Sequence, residues 1–159
     1  MRKIILAIVA FLCLCACNTI TCPLNNVVTL NLSMQGDVDT LKDTLSVWTV
    51  RANGTDSVLI NQKVNITSLQ LPMSYDQDVD MWVFSAKDTT TKTTINDTVR
   101  ISKTNQPHFE SVDCGPVFFH NITGVTCTKH LLKDVTINYE KIDYDATKTH
   151  LYIYYGTRN

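Results

Sequence analysis

The sequence predicts an all-β fold, an antiparallel β-sandwich, on three observations. Thr (22), Val (15) and Ile (12) dominate a chain of 159 residues in which Ala and Glu together number eight. β-Branched side chains are stiff at χ1 and suit a pleated surface, and good helix formers are scarce. Apolar and polar residues alternate with a period of two in one segment after another, and turn signals break that alternation about every 12 residues. This is the rhythm of a sandwich or small barrel rather than of strands alternating with helices. Nowhere does a helical period built from good formers run beyond about five or six residues. With 44% apolar residues and a formal charge of −1 the chain is too hydrophobic for wholesale disorder. It also lacks the Lys/Arg surplus that displaces counterions from nucleic acid.

The first element is not part of that fold. Arg2 and Lys3 precede an apolar run from Ile4 to Ala16, which as a helix spans only about 20 Å, short of the ~30 Å hydrocarbon core. Residues 1–16 therefore read as a signal peptide. Leu14-Cys15-Ala16-Cys17 resembles the bacterial lipobox, in which a large aliphatic residue at −3 and a small one at −1 precede the cysteine that is lipidated. Cys13 and Cys15 have Leu at −1 and fit poorly, so Cys17 is the expected lipidation site. Acyl chains contribute about 0.8 kcal/mol per buried CH₂, so several together fasten a protein to a bilayer. The expected organisation is a leader 1–16, a lipidated tether 17–23 and one domain 24–159. Losing Arg2 and Lys3 leaves that mature chain 12 basic against 15 acidic residues, a charge of −3. The expected location is a bacterial cell envelope, where disulfides persist. The tether lacks an acidic cluster after Cys17, which favours the outer membrane facing the periplasm.

The strands follow in order. Val28, Leu30 and Leu32 alternate with Thr29, Asn31 and Ser33, and Leu45 to Val50 repeats the pattern. Further strands are expected at Ser57 to Asn61, Val64 to Leu71, Val79 to Ala86, Thr93 to Ser102, Pro116 to His120, Val135 to Tyr139 and Thr149 to Tyr155, with Pro107 to Ser111 an edge piece. Asn53-Gly54 is the strongest hairpin signal, because both residues tolerate the positive φ of a type I′ turn. His130-Leu-Leu-Lys-Asp134 is expected as a single helical turn or an irregular linker. Trp48, Trp82 and Phe84 are expected in the core, and Cys127, alternating with Val125, as a small buried hydrophobe. Tyr152 and Tyr154 share one face, as an exposed stripe or the cover of a sheet edge.

Asn105-Gln-Pro-His-Phe-Glu-Ser-Val-Asp-Cys-Gly115, the later Val135-Thr-Ile-Asn-Tyr-Glu-Lys-Ile142 and the closing Leu151-Tyr-Ile-Tyr154 resemble a family of small Bacteroidetes lipoproteins of unknown function. That family couples a lipobox to an early Cys, here Cys22, and to a late Phe-x-Ser-x-x-Cys-Gly, here Phe109 to Gly115. The resemblance implies an immunoglobulin-like β-sandwich, envelope residence and an outer-membrane β-barrel protein as partner. It implies no activity.

Once Cys13 and Cys15 leave with the leader and Cys17 is lipidated, Cys22, Cys114 and Cys127 remain. A Cys22–Cys114 bridge, closing a loop of ~90 residues, would contribute roughly 4–5 kcal/mol and is preferred over Cys114–Cys127 or no bridge. A metal cluster of Cys114, His120, Cys127 and His130 has only one close pair, Cys127-x-x-His130, where structural zinc sites supply paired ligands. Asp76-Gln-Asp78-Val-Asp80 starts like a calcium loop, but Met81 and Lys87 stand where an EF-hand needs Gly and Glu. No phosphate-binding, dinucleotide, nucleophile-elbow or zinc-protease motif occurs, so neither an enzyme nor a cofactor is expected. Asp followed by Ser or Thr and then an aliphatic residue or Thr recurs at Thr40, Thr44, Ser57, Thr89 and Thr98. It looks like the O-glycosylation sequon of periplasmic Bacteroidetes proteins. The expected role is a lipid-anchored, non-enzymatic accessory or protein-binding module. The alternative is binding of carbohydrate through an exposed Trp48 face or of Ca²⁺ through Asp76 to Asp80.

Overall fold

The computed structural model describes Cys22, residues 28–51 and residues 53–157. The leader 1–16 and, apart from Cys22, the tether 17–23, Cys17 included, lie outside the described residues. Ten strands follow one another: β1 (Thr29–Gln35), β2 (Thr44–Val50), β3 (Asp56–Lys63), β4 (Ser68–Pro72), β5 (Val79–Lys87), β6 (Thr94–His108), β7 (Val117–Cys127), β8 (Leu132–Ile137), β9 (Lys141–Ile142) and β10 (Leu151–Tyr155). They form a four-stranded sheet, β4-β1-β10-β8, and a six-stranded sheet, β3-β2-β5-β6-β7-β9. The pairings are antiparallel except that β1 lies parallel to β10, Leu32 opposite Leu151. Against the constant-type immunoglobulin order of ABED on CFG, the neighbours differ, so the likeness is one of sandwich architecture.

Strand alternation decides what the sheets bury. In β10 Leu151, Ile153 and Tyr155 point in, and in β5 Asp80, Trp82, Phe84 and Ala86 do. With Leu30, Leu32, Leu45, Val47, Val99, Ile101 and Ile122 they meet as one core between the sheets. Each large apolar side chain buried there contributes about 1.5–3 kcal/mol.

Several boundaries differ from the sequence reading, each for a physical reason. Pro107 is not in a separate edge piece: β6 runs on through it to His108, paired with β7, because Pro107 sits where β5 has already ended and only one neighbour needs its hydrogen bonds. β7 extends through Gly124 to Cys127, absorbing a register shift at Ser102/Lys103. β4 starts at Ser68 rather than Val64, since Asn65 takes a positive φ of 54° in the connection. Trp48 faces outward and is half-buried, while Trp82 is 1% exposed. Cys127 is also only half-buried. Tyr152 and Tyr154 do share the outer face, but β10 is an interior strand, so they cover no edge. The Asn53-Gly54 turn is not a two-residue type I′ turn. Arg51 N donates to Thr55 O at 2.9 Å around residues 52–54, and of Asn53 and Gly54 only Gly54 has positive φ, 78°, while the Asn53 side chain accepts from Thr55 N at 3.1 Å.

The strand registers sort the connections to two ends. The β2–β3 and β4–β5 connections, the β6–β7 loop and the start of β1 share one end, called here the hairpin-tip end. The β1–β2, β3–β4, β5–β6 and β7–β8 connections share the other, far end.

At the far end the segment expected as a helical turn is instead an irregular link into β8, and one carboxylate explains its shape. Asp97 points inward from β6 and is 2% exposed. Its oxygens accept from the backbone N–H of His130 (2.9 Å), Leu131 (2.7 Å) and Leu132 (2.8 Å), from Thr128 Oγ1 (2.8 Å) and from His130 Nδ1 (3.1 Å). Three successive amides turned onto one anion cannot also make helical bonds. Burial pushes the Asp97 carboxyl up, but these donors outweigh it and the net shift is downward. A lowered folded-state pKa stabilises above the ordinary carboxylate range and is lost as pH falls through the folded value. Asp97→Ala strands three backbone amides, those of Leu131 and Leu132 buried and that of His130 partly so, at about 1–3 kcal/mol for each buried one. We expect a loss of about 3–5 kcal/mol in chemical denaturation at neutral pH, with the difference from wild type shrinking below about pH 4.

Candidate functional site

The hairpin-tip end holds the densest set of buried polar side chains. On β6 the inward stripe Val99, Ile101 continues to Lys103, whose side chain is fully buried. Its ammonium donates to Ser74 O at 2.6 Å, to Gln77 O, and to Asn105 Oδ1 at 2.9 Å, and lies 3.6 Å from Asp80 Oδ2. Asp80 in turn accepts from Ser74 N at 3.2 Å. Asn105 Nδ2 donates to Gln77 O at 3.0 Å and to Asp78 Oδ1 at 3.4 Å. His120 of β7 sets Nδ1 2.7 Å from Asn105 Oδ1. Asn105 Oδ1 can only accept, so His120 Nδ1 carries the proton and donates. Burial pushes the Asp80 carboxyl up and the Lys103 ammonium down, each held back by the other charge. The carbonyls on Lys103 act as its solvent, and the ammonium in return fastens the β4–β5 connection across this end of the sandwich.

Beside it an open cleft of about 610 Å³ is lined by Arg51, Asn53, Leu59, Met73, Tyr75 and Gln77, among others. Tyr75 stacks on Phe118 with ring centroids 5.5 Å apart. On the other face of β7, Phe119 stacks on His108 at 4.5 Å and meets Tyr144 edge-on at 5.0 Å. The β6–β7 loop carries Cys114, joined to Cys22 by a disulfide with Cα atoms 5.6 Å apart.

The residues singled out in the sequence do not converge. Cys17 lies outside the described residues. Thr40, Thr44 and Thr98 are half-buried and Thr89 is exposed, all toward the far end, whereas half-buried Ser57 is on β3 near the hairpin-tip end. Of the acidic run, Asp76 is held by Ser74 Oγ, Asp78 by Asn105 and Asp80 by Lys103 and Ser74. Among the metal candidates Cys114 is in the disulfide, His120 is against Asn105 and His130 against Asp97, while burial pushes the Cys127 thiol up. Among the described residues no group of three His, Cys, Asp or Glu side chains is placed to hold a metal ion. The Lys103–Asn105–His120 network escaped the sequence reading. Its signal was a lysine standing at an inward position of a strand whose preceding inward residues are Val99 and Ile101.

Fold and site together define the class: a two-sheet β-sandwich whose buried charges hold its own loops. The chain belongs to the family of unknown function DUF6452, whose model matches residues 44–155. No curated protein and no solved structure gives a match.

His120 gives this end a pH response. Burial, with Lys103 nearby, pushes its pKa down from 6.5 to about 4. The unfolded chain therefore takes up a proton near pH 6.5 that the folded protein refuses until about pH 4, so stability falls as pH falls through that window. The contribution is on the order of 3 kcal/mol. In denaturation measured between pH 7 and pH 4, His120→Gln should be the less stable protein at pH 7 but lose less than wild type on acidification. Parallel curves would mean that His120 does not titrate in this window.

Proposed function

We propose that this protein is a lipid-anchored, non-enzymatic accessory module of a bacterial cell envelope, held at the outer membrane facing the periplasm and docking to another envelope protein, with an outer-membrane β-barrel as the partner class. The observation that carries the reading is Leu14-Cys15-Ala16-Cys17 at the end of a short apolar run behind Arg2 and Lys3. Two features support it. A disulfide between Cys22 and Cys114 suits an oxidising compartment. The buried ionisable groups Asp97 and Lys103 are occupied in fastening connections, and Asp80, which lines the cleft, is itself held by Lys103 and Ser74. The Asp-Ser/Thr pairs extend the reading, because Thr89 is exposed in the β5–β6 turn and open to an O-linked glycan. Wild-type protein should partition into the detergent phase and appear as the shortened, acylated chain. Cys17→Ala should remain unprocessed and unacylated, and crosslinking in the envelope should recover a membrane-protein partner only with wild type. Equal partitioning of both proteins into the aqueous phase would sink the anchor.

One observation favours a second reading, binding of carbohydrate. The cleft beside Tyr75 combines an aromatic ring, 66% exposed, with Arg51, Asn53 and Gln77, the mixture of stacking and hydrogen-bonding groups that sugars need. Titration calorimetry with envelope glycans should then show heat that Tyr75→Ala abolishes, and absence of heat removes this reading.

A further inference from the structure

We propose that the β6–β7 loop, residues 109–116, is a membrane-contacting tip that lies against the same bilayer that holds the lipid on Cys17. This rests on the lipid-anchor reading and adds to it a direction and a contact surface. The first argument is one of reach. Five residue steps separate Cys17 from Cys22, and a chain extends by at most about 3.6 Å per residue, so they span no more than about 18 Å. Cys22 is bonded to Cys114, Cα to Cα 5.6 Å. The tip therefore stays within about 24 Å of the lipidated residue whatever path the tether takes. The far end cannot substitute for it. β6 alone, Thr94–His108, is 15 residues long and places the β5–β6 turn about 50 Å from the tip.

The second argument is what the surface exposes there. Of eight large apolar side chains exposed among the described residues, six (Tyr75, Val79, Phe109, Val112, Tyr139 and Tyr144) are at the hairpin-tip end, Val58 sits beside Ser57 on β3 near that end, and Val64 lies at the far end. Val112 is 99% exposed and Phe109 63%. Val112 is aliphatic, Phe109 is a wholly apolar ring, and Tyr75, Tyr139 and Tyr144 at the same end carry polar tips, a mixture found at a bilayer interface. The loop carries Glu110 and Asp113 and neither Lys nor Arg. Its affinity is therefore for a neutral interface through apolar contact, not for anionic lipid through charge. The network on Lys103 supplies rigidity, because it locks Ser74 and Gln77 beside the tip and keeps Tyr75 stacked on Phe118.

The test uses the full acylated protein in phosphatidylethanolamine vesicles doped with phosphatidylcholine brominated on its acyl chains, a short-range quencher of tryptophan. Three proteins are compared: wild type, Val112→Trp at the tip, and Thr90→Trp in the exposed β5–β6 turn at the far end. Flotation with the vesicles is read on the same samples. The proposal expects the added emission of Val112→Trp to fall about twofold or more on bromination, and that of Thr90→Trp and of the native Trp48 and Trp82 to change little. Proteins that float while Val112→Trp is quenched no more than Thr90→Trp overturn the membrane tip and leave the anchor standing, with the loop free for a protein partner. Proteins that do not float overturn both.

Discussion

The covalent bond between Cys22 and Cys114 is the constraint on which the rest of the structure's meaning depends. It joins positions 92 residues apart and ties the segment before β1 to the loop at the tip of the β6–β7 hairpin. In the loop-entropy model a closure of that length contributes about 4–5 kcal/mol by restricting the unfolded chain. Without it, β1 would still begin at the hairpin-tip end, but a tether entering there could place the sandwich in any orientation. With it, the hairpin-tip end must stay near Cys22 and the far end cannot.

The two ends are built differently, in keeping with that polarity. At the hairpin-tip end a buried ammonium, Lys103, gathers carbonyls and draws the β4–β5 connection over the sandwich. At the far end a buried carboxylate, Asp97, gathers amides and shapes the β7–β8 connection. Both charges stand on the inward face of β6, where alternation calls for hydrophobic residues, and each would be costly if its loop let go. Exposed apolar side chains collect at the first end, and four of the five Asp-Ser/Thr pairs, those at Thr40, Thr44, Thr89 and Thr98, lie toward the second. On the proposed anchor at Cys17, the apolar tip is the lipid-proximal end and the Thr-rich end the distal one.

Much of the fold was legible in the sequence because the core is written in period-two alternation, as in Leu151-Tyr152-Ile153-Tyr154-Tyr155, and because few residues compete for helix. What was not legible depended on partners distant in sequence. The length of β6 beyond Pro107 is set by β7, which offers hydrogen bonds on one side only. The linker at His130 to Leu132 takes its shape from Asp97, more than thirty residues away. Trp48 and Trp82 look alike in their local sequence, but Trp48 follows inward-facing Val47 and so turns out of the sandwich, while Trp82 falls on the inward stripe of β5. Of the candidate site, Cys22 and Cys114 could be named from their positions. Asn105 and His120 could not, since only the β6–β7 register brings them to 2.7 Å.

The orientation rests on which sulfurs are joined, and that can be read directly. Protein taken from membranes, alkylated without reduction and digested, should yield one cross-linked peptide pair containing Cys22 and Cys114. Cys127 should be recovered as an alkylated thiol once the chain is unfolded, and the N-terminal peptide should carry acyl chains on Cys17. A Cys114–Cys127 pair, or Cys22 recovered as an alkylated thiol, would contradict the account, because the tip of the hairpin would no longer be bound to the segment that carries the proposed anchor.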